Sequence, residues 1–381
     1  MSPVCAVVTT DLVGAAVARV IAADTPLWID LYGDPLAEGQ LIAARHGHDG
    51  GLAPLMANMV AILSRADHLS TCSRAHRLAM LGQLGMVGRL GAAACHGELV
   101  SVLPGMLVGL PDPQEGEPLR GSILPANAII VLWSGGFNTW TDIGTLQAGL
   151  EMAMAETPNL HFVCLGGAID RHNPGTYAEF EERVMASPHR DRFHLLGWRP
   201  QAEVARLTRE ADVGINIDAV CHEAELGTRT RLLEWAEVEL AICSTPTSEM
   251  TRDLAAAEAL MPFRVGDAEG LAKVLVTLGR DEQRRRALGE RAREFVRGRW
   301  TPETAGGELA QWVRSPCLAP DREATAPAAG TNRLIEWMRA LEPALRSGEQ
   351  PPADLASVCR RLQSLEGSAL VRLRDLLRGR G

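Results

Sequence analysis

Lysine is nearly absent from this chain. Lys273 is the only one among 381 residues, so arginine carries almost all of the positive charge. The bias fits GC-rich coding better than any particular chemistry. Net charge is −9, which removes the global electrostatic case for a nucleic-acid binder. No apolar run is long enough to span a bilayer, and no N-terminal stretch joins a basic start, an apolar core and a small-residue cleavage site. The eight cysteines (Cys5, Cys72, Cys95, Cys164, Cys221, Cys243, Cys317, Cys359) form no CxxC pair. In a chain this long they read as buried reduced thiols, not as a disulfide frame or a zinc site. The ten histidines form no metal-like set, and His46-Gly47-His48 reads as a solvated loop. No Asp-x-Asp metal motif is evident. The expectation is a cytoplasmic protein with no resident metal or cofactor.

What is present is a repeated alternation of short apolar runs with longer amphipathic ones. The length allows two ordinary domains and a tail. Residues 4–9, 27–31, 68–72 and 99–103 read as buried strands, with helices between them. The alternation restarts at Ala128-Ile129-Ile130-Val131-Leu132 and continues through strands at 161–165, 193–196, 213–217 and 240–243. Such spacing predicts parallel βαβ units and an α/β class with two Rossmann-like domains. The expected domains are residues 1–112, 121–315 and a helical tail at 331–381. Pro111 to Gly121 and Pro316 to Gly330 read as linkers, the first of them exposed. For the arginine-rich tail, packing against the body is favoured over contact with an anionic membrane, because acidic residues are interspersed.

Three strand exits carry candidate chemistry. Trp133-Ser134-Gly135-Gly136-Phe137-Asn138 follows the first strand of the second domain. Gly135 and Gly136 there let backbone amides approach a ligand. A tight turn is the bland alternative. Leu196-Gly197-Trp198-Arg199-Pro200 offers the apolar face of Trp198 beside Gly197. A surface plug would look the same. The third exit, Glu225-Leu226-Gly227-Thr228-Arg229-Thr230-Arg231-Leu232-Leu233-Glu234, gathers Gly, Thr and Arg at the start of a helix expected over 228–238. Free amides of Gly227 and Thr228, with the guanidinium groups of Arg229 and Arg231, suit phosphate oxygens. Glu234, two turns into that helix, can accept hydrogen bonds from both ribose hydroxyls. An ordinary i,i+3 ion pair between Arg231 and Glu234 is the alternative.

These exits together resemble the nucleotide-sugar half of a GT-B glycosyltransferase. The likeness is to retaining family-four enzymes and to a bacterial subgroup with an Arg-Thr-Arg-Leu-Leu-acid helix. It covers Val4 to Trp312. Glu234 matches the second member of that family's glutamate pair. The first falls on Leu226, and Glu225 is one place early. The subgroup's Gly-Leu-Pro helix stop is replaced here by Glu239-Leu240-Ala241. Asp30-Leu31-Tyr32-Gly33-Asp34-Pro35 resembles the subgroup's acceptor-side loop, with a helix N-cap at Asp34 slightly the better reading. Compared with the family, the first domain looks shortened, as if it starts midway. Residues 4–9 should then be an exposed edge, or the tail should cover that surface.

The resemblance implies two Rossmann-like domains facing a cleft. It also implies transfer of a sugar from a nucleoside-diphosphate sugar, the co-substrate, to an unknown acceptor with retention. The binding residues it implies are Gly135, Gly136, Gly197, Trp198, Glu225, Gly227, Thr228, Arg229, Arg231 and Glu234. No catalytic residue is assigned. The competing reading is a degenerate protein that binds the nucleotide sugar without turnover.

Overall fold

A computed structural model describes residues 6–22, 24–113, 115–169, 173 and 175–323. The chain divides into two compact units. One comprises Met1–Pro104 with Glu308–Gly381, and the other Gly105–Gly307. The tail expected at 331–381 lies outside the described residues.

The first unit holds a four-stranded parallel sheet: β1 (Val7–Thr10), β2 (Leu27–Leu31), β3 (His68–Thr71) and β4 (Val100–Val102), in that spatial order. Leu27, Trp28, Ile29 and Leu31 are buried in β2, as a strand covered on both faces requires. The Trp28 indole stacks on His68 at 4.0 Å and donates to Ser70 Oγ at 2.8 Å. Among the described residues β1 is an outer strand, and Val8 on it is 47% exposed; the tail named as its alternative cover lies outside them. Asp34 is indeed an N-cap: Oδ1 accepts from the backbone N–H groups of Leu36 and Ala37 at the start of helix Pro35–His46.

The chain returns to this unit at its far end. Trp312 meets Trp28 edge-on at 5.5 Å. Residues 319–323, expected to be linker, are docked instead. Ala319 is buried and donates its N–H to Asp67, while Arg322 pairs with Asp67 and Asp321 with the buried Arg89. The expectation missed this because the partners lie more than two hundred residues upstream.

The second unit holds a six-stranded parallel sheet. Its strands are β5 (Ile129–Ser134), β6 (Leu160–Leu165), β7 (Phe193–Leu195), β8 (Val213–Asn216), β9 (Ala241–Ser244) and β10 (Met261–Pro262). Their spatial order is β10-β9-β8-β5-β6-β7. Successive strands therefore run outward from β5 in one direction and from β8 in the other. The order reverses between β5 and β8, which opens a crevice at their carboxyl ends. Two apolar clusters pack the sheet, one around Trp133, Phe162 and Leu271, the other around Leu132, Trp235 and Val296. The stretch expected as an exposed linker is exposed only in part. Leu119 is buried and donates its N–H to Glu210 Oε2, and Arg120 pairs with Asp212.

Helix Arg231–Glu237 ends without the glycine that commonly closes such a turn. Glu239 supplies the left-handed residue itself, at φ 58°. The Leu240 N–H reaches back to the Trp235 carbonyl at 2.9 Å, and Arg293 pairs with the Glu239 carboxylate at 2.7 Å.

Candidate functional site

The β5/β8 crevice is built from four strand exits. β5 runs through Trp133 and Ser134 into Gly135, whose φ of 108° disfavours any side chain. The exits after β5, β6 and β7 are tied through their backbones. Gly135 N–H donates to Leu165 O at 2.7 Å, Phe137 N–H to Gly167 O at 3.1 Å, and Gly166 N–H to Gly197 O at 2.9 Å. A side chain on Gly166 would sit 2.1 Å from the Gly135 carbonyl oxygen, so these loops need glycine to approach this closely. Between the two engaged amides, the Gly136 N–H has no partner among the described residues.

The two arginines after β8 have opposite surroundings. Arg229 is buried and fully paired. Its Nε donates to Asp218 Oδ1 at 2.8 Å and its Nη2 to Glu223 Oε2 at 3.0 Å. Burial alone would lower its pKa, but the Asp218 and Glu223 carboxylates outweigh it and raise it. It is not a free phosphate ligand. Arg231 makes no ion pair among the described residues. Its guanidinium carbon lies 4.2 Å from the centre of the Trp133 ring, and Nη2 donates to the Gly136 carbonyl at 3.3 Å. Nη1 is shielded from solvent and has no partner among the described residues. Burial pushes the Arg231 pKa down to about 10, which leaves it charged at neutral pH.

Two expectations at the third exit are corrected. The helix does not begin at Thr228: a short helix, His222–Leu226, precedes it, and the next runs Arg231–Glu237. The Gly227 amide closes the short helix by donating to Glu223 O at 2.7 Å, so it is not available to a phosphate. Glu234 consequently sits in the first turn of its helix, not two turns in. It is half-buried, its pKa raised by burial against the opposing pull of Arg231, and its carboxylate takes no hydrogen bond from the described residues. The simple Arg231–Glu234 ion pair is not formed.

The remaining candidates are placed as follows. Thr228 is half-buried and directs its hydroxyl to Met250 Sδ at 3.7 Å. Glu225 is exposed on the short helix. Trp198 is 60% exposed, anchored by its indole N–H to Ala168 O at 2.8 Å, and Gly197 takes φ 72°. Among the described residues, no group of His, Cys, Asp or Glu is arranged to hold a metal ion, and no helix is long and apolar enough to cross a membrane.

Reading the sequence alone missed two members of this constellation. Trp133 belongs to the first exit's motif, but nothing in the sequence puts its ring under an arginine. Asp218 was not singled out, although a carboxylate two residues beyond an apolar strand in a switch-point fold is a usable signal.

A glycosyl transferase-like family profile matches residues 148–311, which holds both arginines and Glu234. That portion is glycosyl transferase-like, and over about four-fifths of the chain the fold is the two-Rossmann-domain GT-B fold. Sucrose-phosphate synthase from Thermosynechococcus elongatus is 17% identical, with a TM-score of 0.58 over 81% of this chain and 73% of that one. HepE of Anabaena, solved with UDP-glucose, is 17% identical, with a TM-score of 0.56 over 80% of this chain and 76% of that one. The trehalose-phosphate synthase of Burkholderia multivorans is 15% identical, with a TM-score of 0.56 over 81% of this chain and 71% of that one. No curated protein sequence matches the chain. The GT-B fold accounts for the reversal of strand order at β5/β8 and for the convergence of loops there.

Proposed function

We propose that the β5/β8 crevice binds a nucleoside-diphosphate sugar and that the chain transfers the sugar, with retention, to an acceptor. One observation carries this reading. Arg231 is a half-buried cation with no ion pair among the described residues, held at a switch point beside a backbone N–H that also has no partner among them. A charge partly withdrawn from water and left without a counter-ion favours a ligand that supplies one. A diphosphate does so, and it also accepts from the Gly136 N–H.

In this reading Arg231 and Gly136 meet the diphosphate and Glu234 accepts from the ribose hydroxyls. Gly197 and Trp198 flank the base. The sugar C1–oxygen bond to the diphosphate breaks while the acceptor oxygen bonds to C1. The acceptor proton leaves on the diphosphate, whose developing charge the Arg231 guanidinium stabilises. Retention is supported by the resemblance of the Arg-Thr-Arg-Leu-Leu-Glu helix to retaining enzymes. Uridine is the base favoured by the UDP-glucose complex of HepE.

The test is to titrate the protein with UDP and UDP-glucose and to follow glucose release from the same sample. Saturable binding with slow sugar release supports a transferase. Binding with neither release nor transfer to any sugar, lipid or peptide acceptor points to the degenerate reading. No binding to either nucleotide contradicts the proposal.

A further inference from the structure

The acid groups around Arg229 are more numerous than one arginine needs. Asp218 is 1% exposed and lies just past β8. Its Oδ1 takes the Arg229 Nε at 2.8 Å, and its Oδ2 takes the Thr247 hydroxyl at 2.6 Å and Asn216 Nδ2 at 3.4 Å. Its own N–H donates to Thr245 Oγ1 at 3.0 Å. Thr245 and Thr247 belong to the exit of β9. The exit of β5 is joined to the same node, because the Ala219 N–H donates to Trp140 O at 2.7 Å and the Arg229 guanidinium lies 5.3 Å from the Trp140 ring centre. The Asp218 carboxylate therefore joins Arg229 to the exit of β9, and Arg229 with the Ala219 amide joins that node to the exit of β5.

Only Thr230 separates Arg229 from Arg231. The Arg229 carbonyl accepts from the Leu232 N–H at 3.1 Å, which sets the first turn of the helix that begins at Arg231. Fixing the Arg229 side chain fixes the segment from Gly227 to Thr230. That in turn fixes the direction in which Arg231 leaves the backbone.

We infer that Asp218 is a positioning residue for the anion site. It holds Arg229 so that the Arg231 guanidinium stays over Trp133, with Nη2 on the Gly136 carbonyl. The inference rests on the donor-site reading above, since it names what keeps that site's cation in place. Asp218 touches no ligand in this scheme. A charge-assisted bond at nearly full burial holds geometry better than a neutral one, which is why a carboxylate stands here. Glu223 keeps Arg229 paired when Asp218 is altered, so a neutral replacement should fold.

The experiment compares the full chain with Asp218→Asn, using UDP and uridine as probes and thermal melting as the check on folding. The expected result is a cooperative melt and a Kd for UDP weakened about tenfold or more. The Kd for uridine should be unchanged, because only the phosphate contacts move. Thr247→Val, which keeps the charge but removes the shorter of the two hydrogen bonds to Oδ2, should shift UDP in the same direction by a smaller factor, and it serves if Asp218→Asn fails to fold. A folded variant that binds UDP as the parent does overturns the inference. So does equal weakening of UDP and uridine, the mark of a merely structural role. A parent chain that binds neither probe contradicts the donor-site reading itself, and the positioning role falls with it.

Discussion

The guanidinium of Arg231 lies over the indole of Trp133, 4.2 Å from its centre, while Arg229 is locked between Asp218 and Glu223. Two arginines one residue apart thus do different work. Arg231→Met should separate binding from stability. Removing a half-buried cation whose shielded Nη1 has no partner among the described residues relieves an unfavourable burial, so the melting temperature should hold or rise. UDP affinity should fall by about 2 kcal/mol or more, the scale of a charge-assisted contact. Calorimetry and a thermal melt on one preparation check both halves. The sign follows from linkage. The folded pKa of about 10 lies below the ordinary arginine value, so the charged group opposes folding at neutral pH, and that opposition fades as pH rises past 10.

Glu234→Gln should weaken UDP binding by about 1–3 kcal/mol through loss of a charged acceptor. It should leave binding of a 2′,3′-dideoxy analogue nearly unaltered. Equal losses for both nucleotides would show that Glu234 does not grip the ribose.

Acid should destabilise the fold through His161. Its Nδ1 lies 3.1 Å from His194 Nε2, and burial holds its pKa down to about 4, aided by the neighbouring His194 and Arg192. The unfolded chain titrates near the ordinary histidine value, so it binds more protons than the fold between about pH 6.5 and 4. Stability contributed by the neutral ring is fully present above that window and is lost as pH falls through it. His161→Phe should flatten the stability slope there by up to about 1.4 kcal/mol per pH unit, one proton's worth. Denaturant melts at pH 7 and 5 read it.

Glu239 occupies a left-handed conformation that costs a side-chain-bearing residue about 1–2 kcal/mol. Glu239→Gly removes that strain and gives up a largely exposed ion pair with Arg293, worth about 0–1 kcal/mol. A net gain of up to about 1 kcal/mol is expected in denaturant unfolding, with UDP binding unchanged.

Much of this architecture can be read from the chain. Apolar runs such as Ile129–Leu132 and Val213–Ile215 stand out against polar exits, and their spacing admits little except parallel βαβ units. The Gly135-Gly136 exit is visible for the same reason: only glycine permits those loops to touch. What is not visible is the difference between Arg229 and Arg231. Local sequence gives both the same chemistry. Their roles diverge because Asp218, eleven residues before Arg229, and Trp133, on a strand nearly a hundred residues upstream, reach them only through the folded sheet. The Gly227 amide was misassigned for a related reason: the short helix His222–Leu226 uses it, and five residues are too few to show helical periodicity. Glu239 in a left-handed turn is a tertiary override of local preference, stabilised by Arg293.

The central claim is that Arg231 and the Gly136 N–H form the diphosphate site. A crystal structure of the protein with UDP tests it most directly. The account expects a diphosphate oxygen within hydrogen-bond distance of the Arg231 guanidinium, another at the Gly136 N–H, and the ribose against Glu234. A nucleotide seated elsewhere, or one in this crevice whose phosphates make no contact with the Arg231 guanidinium, would contradict it.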